Sequence, residues 1–184
     1  MARYHEENKE IILQKAYAYN KEIGEKMRSE PLGDVVQHYY DLIEKITKES
    51  GMNDTITCGA GCGFCCHAEI PVNSFEAIYL KEVVSGLDID EDALFIQLKA
   101  DDYNSLDFKK RRCTLLDNDD KCRIYKNRPL VCRSHNSIDL KDYCNRVKYP
   151  TRKLNRAYNI DIEAIQMAFA MVSNNGSTEL HKIL

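Results

Sequence analysis

All eight cysteines of this chain fall between positions 58 and 144, and the long flanks on either side hold none. Cysteines used only as small buried hydrophobes would have no reason to gather in this way. Four of them sit in Cys58-Gly59-Ala60-Gly61-Cys62-Gly63-Phe64-Cys65-Cys66-His67, a run with neither helical nor strand period. Its three glycines allow the backbone to approach an ion closely. The other four, Cys113, Cys122, Cys132 and Cys144, are spread over a second segment. Soft thiolates select zinc, copper(I) or iron in iron–sulfur form, and a closed tetrahedral zinc site takes four ligands. Eight thiols therefore suit two such sites, or one iron–sulfur cluster with thiols to spare. Consecutive side chains diverge in extended chain, so the Cys65–Cys66 pair favours two neighbouring metals or a cluster over one mononuclear ion.

A disulfide framework is the competing use of so many cysteines. It belongs to oxidising compartments. The N-terminus, Met1-Ala2-Arg3-Tyr4-His5-Glu6-Glu7, carries no apolar run of signal-peptide length, which predicts a cytoplasmic protein with free thiols. No apolar stretch reaches membrane-spanning length, so no membrane is expected. The formal net charge of −3 gives no basic excess to attract nucleic acid.

The 184 residues suit one domain. Its expected layout is an N-terminal helical hairpin over 1–57, a cysteine-cluster metal-binding core over 58–146, and a C-terminal helix and tail over 147–184. Ile12, Ala16, Tyr19, Ile23 and Met27 share one face of a first helix. Leu32, Val35, Val36, Tyr39, Leu42, Ile43 and Ile46 form the stripe of a second, which Pro31 opens and Gly51 closes. The two are expected to lie side by side, antiparallel. Ser74 is read as the cap of a helix bearing Phe75, Ile78, Tyr79, Val83 and Val84. Asp88 or Asp90 caps the next, bearing Leu94, Phe95 and Leu98. The Asp117-Asn118-Asp119-Asp120 tip predicts a hairpin over 113–125 that draws Cys113 and Cys122 together. Short helical turns are expected after Pro129 and over Asp139–Val147, and a last amphipathic helix carries Ile162, Ile165, Phe169 and Val172. Beyond Asn174-Asn175-Gly176 the tail is expected to be loose. The fold class is mainly α, a small helical domain with an irregular or β-hairpin cysteine-rich subregion. The two halves of the cluster meet only if residues 67–112 fold back between them.

Four other residues are candidates for support around the metal. His67 and His135 are read as ligands or as donors to ligands. Arg128 and Arg133 flank Cys132 and would tie the loop through carbonyls or offset thiolate charge.

Several linked motifs resemble a known family. Cys58-x3-Cys62-Gly63-x-Cys65-Cys66, Cys113-x-Leu115-Leu116 and Cys122-x-Ile124-Tyr125-x2-Arg128-Pro129-x2-Cys132-Arg133 resemble the YkgJ-like cysteine-cluster family, the CxxCxxCC zinc- or iron-chelating domain. The likeness covers about residues 56–146. The first spacing is three residues where the family has two, and Ser134-His135 stands where many members have an aromatic–proline pair. The resemblance implies a zinc or iron partner and no particular reaction.

Three functions follow from these readings. The first is a metal-binding protein, structural or metal-handling, holding one or two metals. The second is an iron–sulfur or metal-dependent enzyme, since the module is similar to that of the longer flagellin lysine methylases; no S-adenosylmethionine motif is seen here. The third is a metal-stapled interaction module, with which the 11 tyrosines are compatible.

Overall fold

A computed structural model describes residues 2–184. It is mainly helical, as the apolar periodicity predicts. The helices are α1 (Ala2–Lys26), α2 (Leu32–Glu49), α3 (Ser74–Val84), α4 (Glu91–Lys99), α5 (Leu130–Arg133) and α6 (Ile160–Val172). Short 3-10 turns link them. Strands β1 (Pro71–Asn73) and β2 (Ser177–Glu179) form a two-stranded antiparallel sheet, pairing Val72 with Thr178. Among the described residues no helix is long and apolar enough to cross a membrane.

The α2 stripe forms as expected. Val35, Val36, Tyr39 and Ile43 are buried, together with Tyr40, and Gly51 ends the helix at φ 72°. These side chains meet Phe75 of α3 and Ile162, Ile165 and Phe169 of α6 in the main core. The first two helices do not pair side by side. Instead α1 packs along α6, burying Ile12 and Ala16 against Ala164. Lys15 and Tyr19 both reach Asp161, at 2.7 and 3.1 Å. Only the C-terminal part of α1, through Tyr19 and Ile23, joins the α2 core, and Met27 lies beyond the helix and exposed.

Three further expectations are corrected. Helix α3 starts at Ser74, but its cap is Asn73, whose side chain accepts the Glu76 N–H at 2.9 Å. In α4, capped by Asp90, Phe95 and Leu98 are exposed and Gln97 is the buried residue. The Gln97 amide donates to the carbonyls of Lys110 and Arg112 at 3.0 and 2.8 Å, and this steadies the approach to Cys113. The C-terminal tail is built in, not loose. After left-handed Asn174 and Asn175 it turns back as β2, and Leu180 and His181 are buried. Gly176 is required there, because a Cβ would lie 2.7 Å from Ser74 Oγ and 2.9 Å from the Ser173 carbonyl.

Candidate metal centre

The two cysteine segments face one another. Thr57 donates its N–H to the Ser137 carbonyl at 2.9 Å and its hydroxyl to the Asp139 carbonyl at 2.5 Å, fastening the start of the glycine-rich loop to the 134–139 segment. The Cys58 thiol donates to the His135 carbonyl at 3.0 Å and accepts the Ser137 N–H at 3.3 Å. The Cys144 thiol, on the 3-10 turn Lys141–Cys144, lies 3.9 Å from the fully buried Ser137 hydroxyl. At the far end of the loop, the Cys113 N–H donates to the Cys66 carbonyl at 2.8 Å. Residues 67–112 thus leave the cluster and return to it at one backbone contact.

The expected hairpin over 113–125 is reduced to a single antiparallel bridge, Leu116 with Cys122. Asp117 accepts the N–H groups of Asp119 and Lys121 at 2.9 Å each, and Asp120 turns the chain at φ 58°. The helical turn after Pro129 is α5, and it carries Cys132.

All eight cysteines line one cavity of about 190 Å³ and are free thiols. Among the described residues no three His, Cys, Asp or Glu side chains are already gathered tightly enough to hold an ion. The thiols line the space rather than converge on one point. Their charges nevertheless sort them into neighbours. Burial raises the Cys58 thiol, and the charges of Cys65, Cys62 and Cys144 raise it further. Cys62 is raised by burial and then by Cys65 and Cys144. On the other side, burial pushes Cys113 up to about 11, with Cys122 and Cys65 adding to it. Burial likewise raises Cys132 well above the usual thiol range, helped by Cys65, Cys113 and Cys122.

Cys65 and Cys66 revise the expectation that adjacent thiols point apart. They lie in a 3-10 turn, Phe64–His67, and not in extended chain. Both thiols face the same cavity, and their mutual interaction lowers Cys65 to about 7 and raises Cys66, so Cys65 is the readier thiolate. Cys65 acts electrostatically on members of both groups.

The supporting residues divide. His135 lines the cavity, and its Nε2 is buried with no hydrogen-bond partner. Burial, then Arg156 and Arg146, hold it neutral down to about pH 4. His67 lies outside the cavity: it donates from Nδ1 to the Gly63 carbonyl at 3.1 Å and stacks on Phe108 with ring centroids 4.0 Å apart. Arg128 donates to the Tyr125 carbonyl at 2.8 Å and to Glu44 at 3.0 Å. Buried Arg133 donates to the Arg128 carbonyl at 3.0 Å, to Glu44 at 2.7 Å and to the Lys126 carbonyl. Both arginines line the cavity, bracing the Cys122–Cys132 segment through its own carbonyls and tying it to α2 through the Glu44 carboxylate.

Sequence reasoning missed Glu44, Glu76 and Ser137. Glu76 left a signal, since it shares a helix face with Leu80 and Val83, where a charge is out of place. Ser137 and Glu44 left none.

The CxxCxxCC family model, described as "Putative zinc- or iron-chelating domain", matches residues 57–155, over half of the chain. The chain belongs to the CxxCxxCC family. The family description supports zinc or iron as the ligand of this domain. No curated protein and no solved structure matches the chain significantly. The matched span runs from the Thr57 clamp, through every cysteine, to Asn155, whose carbonyl accepts the Ile138 N–H at 3.1 Å. It thus takes in the backbone that holds both halves of the CxxCxxCC site, while the α1, α2 and α6 core lies mostly outside it.

Proposed function

We propose that this CxxCxxCC protein is a metal-binding protein holding two ions side by side, each by four thiolates, in a structural or metal-handling role. Cys58, Cys62, Cys65 and Cys144 would hold one ion, and Cys66, Cys113, Cys122 and Cys132 the other. The observation that carries this reading is the single cavity lined by all eight thiols, within which the charge couplings separate Cys58, Cys62 and Cys144 from Cys113, Cys122 and Cys132. Cys65 and Cys66 link the two groups.

The donor set fits such ions. Thiolates are the ligands that zinc and iron–sulfur centres take. Burial opposes ionisation of these thiols, so eight empty thiolates would be costly to keep. A bound cation reverses that balance: it displaces the protons, and its binding energy becomes folding energy for the loops. Cys65, already the thiolate-like member of its pair, would lose its proton first. Arg128 and Arg133 would keep the Cys132 turn in place against α2. His135, which lines the same cavity with its Nε2 unpartnered, is suited to donate to a thiolate or to stand in for one.

Anaerobic purification without added metal, followed by elemental analysis and thiol titration, tests this. Two metals per chain and eight reduced thiols are expected. Cys144→Ser and Cys122→Ser should each lower the content by about one metal. A brown protein with inorganic sulfide would replace two separate ions by a cluster. Less than about half an equivalent of metal, with thiols in disulfides, would overturn the reading.

A further inference from the structure

A second pocket, of about 260 Å³, shares Cys65, His135 and Cys144 with the thiol cavity. Three arginines, Arg111, Arg146 and Arg156, line it, and no carboxylate does. Their positive charges are poorly matched by the protein itself. The Arg111 Nε is buried with no hydrogen-bond partner, and its guanidinium carbon stands 5.8 Å from the Phe108 ring centroid. Arg156 makes no side-chain hydrogen bond or ion pair among the described residues. Among the described residues Arg146 is met only by a backbone carbonyl, that of Arg152. Asp139 is engaged by Asn155, and Asp142 by Lys148 and Tyr149. The parallel His67–Phe108 stack, 5° between planes, forms a flat wall.

Buried donors without acceptors, and like charges gathered around one space, are each unfavourable in a free protein. An anion entering the pocket would relieve both. Guanidinium groups present forked donors that match the oxygens of phosphate and carboxylate groups. We propose that this pocket is a binding site for a small oxyanion, a phosphate or carboxylate group, held by Arg111 and Arg156 beside the metal centre. Arg146, exposed at the rim, draws the anion in. The site stands on its own residues, whichever metal the thiols hold.

Arg156 is also a charge neighbour of Cys65. The alternative role for these arginines is therefore to balance thiolate charge. Calorimetric titration of the metal-containing protein with inorganic phosphate and, separately, with acetate, at fixed ionic strength, distinguishes the two. Saturable binding of at least one anion is expected. Phosphate alone would identify a phosphate site, acetate alone a carboxylate site. Arg156→Gln and Arg111→Gln should each weaken binding at least about tenfold, with metal content unchanged. Arg146→Gln, a change at an exposed position, should weaken it less and serves if the other variants fail to fold. No saturable binding by either anion overturns the proposal. So does wild-type affinity in all three variants, or loss of metal in step with loss of anion binding.

Discussion

The Glu76 carboxyl of α3 accepts the backbone N–H of Leu130 at 2.5 Å. The same oxygen accepts the Tyr40 hydroxyl of α2. One buried side chain thus joins the helical core to the first residue of α5, the turn that carries Cys132. Burial raises the Glu76 pKa from 4.5 to about 7, although Tyr40, Leu130 and Arg133 pull it down.

This makes Glu76 a source of pH dependence. A group whose pKa is raised on folding binds its proton more tightly in the folded state. Its contribution is full below about pH 4.5 and is lost as pH rises through about 7. The size is roughly 3 kcal/mol. Glu76→Gln keeps an acceptor oxygen and removes the titration. Urea unfolding of both proteins at pH 5, 6 and 7.5 should show the wild type losing stability relative to the variant as pH rises. A difference independent of pH would refute the assignment.

Arg133 is the second tie between core and cluster. Its guanidinium lies 4.0 Å from the Tyr40 ring centroid as well as bonding Glu44 and two carbonyls. Lysine keeps the charge but has neither the planar face nor the fork. Arg133→Lys should cost about 2–4 kcal/mol by leaving buried carbonyls unpaired, and should lower the thermal midpoint. A cost below about 0.5 kcal/mol would mean that the contacts are incidental.

The tail offers a third test. Leu180 packs with Val72, Leu80, Leu115 and Ile124, in the core cluster beneath Cys113 and Cys122. Leu180→Ala should destabilise the protein by about 2–5 kcal/mol, as for a buried leucine. Hydrogen exchange should also quicken at Leu115 and Ile124. A loose tail would give neither effect.

The parts of the molecule that were legible in the sequence are those whose signal is local. The α2 stripe needs only its own period, and Asp90 caps the helix that follows it. The cysteine segments are legible because thiol chemistry restricts what so many grouped cysteines can be for. What escaped depended on partners distant in sequence. Phe95 and Leu98 look like core residues, yet Gln97 turns inward because the carbonyls of Lys110 and Arg112 await it. The tail reads as polar and short, but β1 supplies it with an edge. The divergence expected of Cys65 and Cys66 presumed extended chain, and the 3-10 turn lets both thiols face one cavity. His67 follows the double cysteine, yet Phe108 takes its ring out of the cavity.

The contact between the Cys66 carbonyl and the Cys113 N–H has an evolutionary meaning. Because residues 67–112 depart and return at neighbouring points, residues added in the turns between their helices need not move the two ends. Lengthening such an excursion is cheap, since doubling a flexible loop adds only about 0.6 kcal/mol of closure entropy. The metal-binding module can therefore accept insertions between its first and second motifs while its cysteines keep their places, so relatives can diverge in size and surface around an unchanged centre.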